Sequence, residues 1–89
     1  MLKINLSKQA QKFLDRLPPK QRRQVSGKIF QLAADPVPPD SKPLRGFPYR
    51  RADIGEYRII YHFDEETLFV PAVGKRNDDD VYRLLRRLS

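Results

Sequence analysis

The stretch "DPVPPDSKP", Asp35 to Pro43, does most to limit what this chain can fold into. It carries Pro36, Pro38, Pro39 and Pro43 and shows no apolar periodicity. Proline fixes φ and has no backbone N–H, so neither a helix nor a central strand runs through such a segment. It reads as a stiff, extended loop. Apolar residues recur at helical spacing before it and alternate after it. Cutting the chain here would leave two halves too small to bury a core, so residues 1–89 are expected to form one domain.

Upstream, "LKINL" (Leu2–Leu6) alternates apolar and polar residues, the pattern of a half-buried strand. Ser7 can cap a first helix from Ser7 to Leu17, with Ala10, Phe13, Leu14 and Leu17 on one stripe. "LPPK" ends it, and Pro19 suits the first turn of a second helix, Pro19–Ala34, whose stripe is Val25, Ile29, Leu32 and Ala33. Gly27 weakens that helix slightly, and Asp35-Pro36 stops it.

Downstream, "FPYRRAD" (Phe47–Asp53) is a strand candidate, and "IGE" (Ile54–Glu56) supplies a turn. "YRIIYHFD" (Tyr57–Asp64), rich in aromatic and β-branched residues, is the best strand in the chain. "DEET" (Asp64–Thr67) turns into "LFVPAVGK" (Leu68–Lys75). Pro71 inside that strand predicts a bulge or a stretch lacking one neighbour. Val81, Leu84, Leu85 and Leu88 form the stripe of a C-terminal helix. The order β-α-α-β-β-β-α is an α+β pattern. It predicts a mainly antiparallel sheet with the two N-terminal helices on one face and the other face partly open.

Composition narrows the chemistry. There is no cysteine and a single histidine, which excludes disulfides, thiolate metal sites and Cys/His zinc. The N-terminus has no apolar run of the signal-peptide kind and no segment approaches a membrane span, so the expected location is cytoplasmic. The net charge of +7 points to a polyanion or an acidic partner without saying which.

Strand alternation sorts the charged residues. Tyr57, Ile59, Tyr61 and Phe63 should pack under the helices, leaving Arg58, Ile60 and His62 on the open face. Either Arg51 with Tyr49 and Asp53, or Arg50 with Ala52, joins Arg58; a one-residue slip of the hairpin exchanges the two sets. In "GKRNDDDVY" (Gly74–Tyr82), Asp78–Asp80 suit the start of a helix through capping and the macrodipole, or could draw a divalent ion. Tyr82 falls at the margin of the apolar stripe, a position open to packing or to a ligand. His62 reads as an ordinary strand residue or as a base. Arg58, Arg76, Arg51 or Arg50, and Tyr82, with Lys42 and Arg45 from the loop, thus make a candidate open-face cluster. Clustered arginines suit phosphate.

These landmarks taken together resemble a known family. "LRG" at Leu44–Gly46, "GEYRIIY" at Gly55–Tyr61, "VGKR" at Val73–Arg76 and "VY" at Val81–Tyr82 look like the RelE/ParE superfamily of bacterial toxins, and in particular RelE-type messenger RNA interferases. The resemblance implies a small RelE-like fold and a RelB-like antitoxin that blocks the toxin in a hetero-oligomer. It also implies cleavage of messenger RNA in the ribosomal A site, by attack of a ribose 2′-hydroxyl on the adjacent phosphate. Such a reaction needs no metal and no cofactor. Carried over by motif, the catalytic set is Arg51, Arg58, Arg76 and Tyr82, with Lys42, Arg45, Arg50 and Lys75 touching RNA or the ribosome. One departure stands out: Asp53 occupies a position where such enzymes present a second cation. That departure leaves Arg51 acting mainly by charge, Tyr82 and a ribosomal group as the alternatives for the role of general base. The alternatives are a ParE-type inhibitor of DNA gyrase on the same fold and a non-catalytic basic RNA-binding module.

Overall fold

A computed structural model gives the structure of residues 1–77 and 80–88. The elements are β1 (Lys3–Leu6), α1 (Lys8–Arg16), α2 (Pro19–Ala34), β2 (Ser41–Pro43), β3 (Arg50–Ile54), β4 (Tyr57–Phe63), β5 (Thr67–Lys75) and α3 (Asp80–Leu88). The fold is α+β, and the expected order holds with one short strand, β2, added.

The first two helices begin and end where their residues dictate. Ser7 caps α1, its Oγ accepting from the Ala10 N–H at 3.1 Å. Pro18 and Pro19 separate α1 from α2, and Pro19 sits in the first turn, where its missing N–H costs nothing. Two pins then hold the proline segment against the body. The Tyr61 hydroxyl donates to the Pro36 carbonyl at 2.7 Å. The nearly buried Lys28 ammonium of α2 donates to Asp40 at 2.6 Å.

Those pins explain the added strand. Ser41–Pro43 lies along β3, with Ser41 opposite Ala52, Lys42 opposite Arg51 and Pro43 opposite Arg50. As β2 is an edge of the sheet, proline is tolerated there. The strand expected from Phe47 instead begins at Arg50. Residues Leu44 to Tyr49 close a tight turn, with Leu44 N–H bonded to the Tyr49 carbonyl at 2.8 Å and Phe47 N–H to the Leu44 carbonyl at 3.2 Å. Gly46 turns it at φ 82°, a conformation glycine adopts without steric cost.

The sheet runs β1-β5-β4-β3-β2. All pairings are antiparallel except that of β1 with β5, which is parallel and follows the crossover through α1 and α2. Opposite Pro71 the register slips: Ile60 faces Ala72 but His62 faces Phe69, so Val70 and Pro71 together oppose Tyr61. The pairing of β1 also stops at Val70. Both consequences expected of Pro71, a bulge and a missing neighbour, therefore occur.

Beyond Val70 the outer edge of β5 is met by side chains of the α1 turn. Ser7 Oγ donates to the Pro71 carbonyl at 2.8 Å. The Gln9 amide donates to the Val73 carbonyl at 3.0 Å and accepts from the Val73 N–H at 3.0 Å.

Two apolar clusters lie on opposite faces of the sheet. Ala10, Leu14, Val25, Ile29 and Leu32 of α1 and α2 pack on Tyr57, Ile59, Tyr61 and Val73. Fully burying each large side chain contributes about 1.5–3 kcal/mol. Phe63, expected there too, is 38% exposed, because it is the last residue of β4, beside the turn. On the other face Val81 and Leu85 of α3 pack on Ile60, Ala72 and Leu44. That face is therefore partly roofed by α3, which sets the walls of the candidate site. Among the described residues, no helix is long and apolar enough to cross a membrane.

Candidate functional site

The β3–β4 hairpin turns at Ile54–Tyr57 through Gly55 and places Asp53 opposite Arg58 and Arg51 opposite Ile60. This register decides the question left open by the sequence. Arg51, Asp53 and Arg58 share the α3 face, while Arg50 and Ala52 face the other way. Gly74 of β5 lies opposite Arg58 on the far side of β4.

Gly74 positions the helix. A Cβ built on it would stand 2.7 Å from Val81 Cγ1, so α3 seats its first apolar residue where any other side chain would stand. The next residue, Tyr82, then projects over β4. Its hydroxyl accepts from Arg58 Nη1 at 2.7 Å. The sequence grouped Tyr82 with Arg58 in one open-face cluster, but it gave neither their direct hydrogen bond nor the role of Gly74.

Arg58 is held on a second side. Its Nε donates to Asp53 Oδ1 at 2.8 Å and its Nη2 to Asp53 Oδ2 at 3.3 Å, a two-pronged ion pair. The Arg58 side chain is only 14% exposed and that of Asp53 32%, so salt screens this pair less than a surface pair. Arg51 Nη1 approaches the same carboxylate at 3.8 Å. Asp53, expected as a substitute for a cation, thus joins Arg51 to Arg58.

The protonation states follow from these contacts. Burial alone would raise the Asp53 pKa, but the Arg58 hydrogen bond and the charges of Arg58, Arg51 and Arg76 outweigh it and hold the carboxyl below its usual range. The Arg58 pKa is raised, first by the hydrogen bond to Asp53, against burial, with further contributions from the charge of Asp53 and from Tyr82. Both groups are charged at neutral pH. Arg76 follows directly on β5, its N–H bonded to the Glu56 carbonyl at 2.9 Å, and its charge acts on Asp53.

Three cations, one carboxylate and one phenol thus share a region at one end of the α3 face. Beside them, Asp40, Lys42, Arg51 and Asp53 line a shallow cavity of about 290 Å³. Lys42 therefore joins the region from β2, and Arg45 lies exposed in the following turn. Two residues expected with them stand elsewhere. Arg50 points to the opposite face, where its Nη2 donates to Ser41 Oγ at 2.9 Å. Lys75, opposite Tyr57, lines a separate groove with Gln9, Phe13 and Leu84.

His62 is engaged in an aromatic row. Its ring stacks on Phe69 at 4.7 Å between centroids and meets Tyr49 at 5.4 Å. That favours the reading as an ordinary strand residue. Among the described residues no group of three or more acidic, histidine or cysteine side chains is placed to hold a metal ion. The expected capping role of the acidic run falls, at 78 and 79, outside the described residues.

Comparison with curated proteins finds no match. Solved structures do match. A RelBE toxin–antitoxin complex of Mycobacterium tuberculosis is 28% identical over 84% of this chain and 98% of that chain, with a TM-score of 0.73. A mutant of the E. coli toxin RelE in the free state is 25% identical over 99% of this chain and 98% of its own, with a TM-score of 0.79. The archaeal RelE–RelB complex of Pyrococcus horikoshii is 26% identical over 84% of this chain and 94% of that one, at 0.72. A family model described as the ParE toxin of the type II toxin–antitoxin system, parDE, matches residues 4–80. With residues 4–80, most of its length, matched by that model, the chain belongs to the ParE toxin family of type II toxin–antitoxin systems, within the RelE/ParE superfamily.

Proposed function

We propose that this toxin is a metal-independent endoribonuclease that cuts messenger RNA in the ribosomal A site and is neutralised by a RelB-like antitoxin. The observation that carries the reading is the joined set of Arg58, Tyr82, Arg51 and Asp53, with Arg76 acting on it. A gyrase inhibitor needs no such set.

In this reading a ribose 2′-oxygen attacks the adjacent phosphorus and passes its proton to a ribosomal group acting as the base. The P–O5′ bond breaks, leaving a 2′,3′-cyclic phosphate and a 5′-oxygen that takes up a proton. Negative charge grows on the phosphate as the attack proceeds. Arginines held in place before the reaction stabilise that charge in the transition state at no further cost of reorganisation. The Tyr82 hydroxyl accepts from Arg58, so its own proton remains free to be donated to the departing oxygen. Arg51 acts by charge, since its pKa lies above roughly 12 and makes it a poor base. The ribosome supplies the orientation of the substrate. In this reading Lys42, which lines the cavity with Arg51 and Asp53, and the exposed Arg45 contact phosphates, and the net charge of +7 suits an acidic antitoxin in a cytoplasmic hetero-oligomer.

The test adds purified protein to a translating reaction and maps messenger ends by primer extension, beside a free-RNA control. Breaks at A-site codons that appear only with ribosomes, and that vanish in Arg76→Ala, support the reading. An intact messenger from a preparation that still arrests growth would overturn it. The family description favours ParE-type inhibition of gyrase as the second reading, and a supercoiling assay on the same preparation decides for or against it.

A further inference from the structure

We propose that Asp53 is a positioning residue: it fixes the Arg58 guanidinium so that its remaining donors face the scissile phosphate. The inference rests on the reading above and deepens it.

A polyanion-binding site gains nothing from a carboxylate as such. An ionised acid beside the phosphate repels it, and Asp53 is ionised at neutral pH, next to the cations that would receive substrate. Its presence there therefore asks for a compensating role, and the contact geometry supplies one. A guanidinium has five N–H donors in a rigid plane. Asp53 takes one from Nε and one from Nη2, and Tyr82 takes one from Nη1. Three donors are thus committed, all in the guanidinium plane, and two remain, one on each terminal nitrogen. Free guanidinium N–H donors of this kind suit phosphate oxygens.

The strand register makes the arrangement stiff. Asp53 and Arg58 are direct cross-strand partners next to the hairpin turn, so few backbone torsions separate them. Arg51 Nη1 stands 3.8 Å from the same carboxylate and draws it as well. Without Asp53, the arginine would be held by the Tyr82 hydroxyl alone and would sample other rotamers. Misplacing a catalytic group by about 1 Å costs roughly 100-fold in rate. Removing the acid also removes a repulsion, so binding should not suffer with turnover. This opposite behaviour of the two constants separates positioning from a scaffold role, in which both would worsen.

The experiment measures single-turnover cleavage of messenger on programmed ribosomes across toxin concentration, for the wild type, Asp53→Asn, Asp53→Glu and Asp53→Ala. In parallel, the Arg58 Nε–H resonance is followed by NMR on the free toxins. In Asp53→Asn the maximal rate should fall about 10- to 100-fold while the half-saturating concentration stays equal or falls. Asp53→Glu should recover part of the rate. The Arg58 Nε–H signal, shifted and slow to exchange in the wild type, should move and exchange faster in Asp53→Ala, with the rest of the spectrum retained. An unchanged maximal rate, or a raised half-saturating concentration at constant rate, overturns the proposal. If the wild type cuts nothing, the endonuclease reading fails; the NMR arm then stands alone, and an unchanged Arg58 signal in Asp53→Ala overturns Asp53 as its anchor.

Discussion

Arg58 on β4 and Tyr82 on α3, 24 positions apart, are joined by a 2.7 Å hydrogen bond from guanidinium to phenol oxygen. The bond links the middle of the sheet to the helix that roofs it. It ties the placement of one candidate catalytic group to that of the other.

Tyr82→Phe should leave the fold intact and lower ribosome-dependent cleavage by about 100-fold, since the ring still packs and only the hydroxyl is lost. Near-unchanged circular dichroism together with the rate of messenger cleavage checks this. A phenylalanine variant that cuts at the wild-type rate would restrict Tyr82 to packing.

Gly74→Ala should disturb the site without touching any charged residue. The added methyl would press on Val81, whose burial leaves little room to move. Overpacking of this kind costs about 1–3 kcal/mol. Urea denaturation should show the loss, and the amide signals of α3 should shift more than those of α1 and α2.

The Asp53–Arg58 pair predicts a pH dependence with a definite sign. The folded-state pKa of Asp53 lies below its unfolded value, so the pair contributes stability that is fully present above the ordinary carboxylate range. That contribution is lost as pH falls through the lowered value. At neutral pH Asp53→Asn should be less stable than wild type by about 1–2 kcal/mol, given its partial exposure. In chemical denaturation at stepped pH the two proteins should converge in acid. A gap that persists or widens there would contradict the assignment.

Lys28 and Asp40 should respond unequally to substitution. Lys28 is nearly buried, whereas the side chain of Asp40 is largely exposed. Removing Asp40 leaves a charge without its partner in a desolvated position; replacing Lys28 by methionine removes that charge. Lys28→Met should therefore keep a higher denaturation midpoint than Asp40→Ala.

Much of this was legible in the sequence, for identifiable reasons. The face of Arg58 followed from the alternation of "YRIIYHF", because Tyr57, Ile59 and Tyr61 could only face a core. The two consequences of Pro71 followed from its missing N–H. What escaped depended on register or on contacts distant in sequence. Whether Arg51 or Arg50 joined Arg58 turned on one residue of slip, fixed in the fold by the hairpin at Gly55. The pairing of Asp53 with Arg58 required the same register. "FPY" carried a strand-like composition, yet hydrogen bonds between Leu44 and Tyr49 drew it into a turn. The need for glycine at 74 came from Val81, seven residues on and across a turn, and no local pattern records it.

The last stretch of β5 shows how a very small sheet can end without a neighbour. Uncovered strand edges invite copies of a protein to add to one another, and short domains have little chain to spare for guarding them. Here the amide of Gln9 imitates a peptide group, satisfying both the N–H and the carbonyl of Val73, and Ser7 takes the carbonyl of Pro71, which has no N–H to satisfy. Resistance to self-association along this edge therefore rests on two polar side chains of a single helical turn. One of them is the same serine that starts the helix, so a change at Ser7 would loosen α1 and uncover the sheet together.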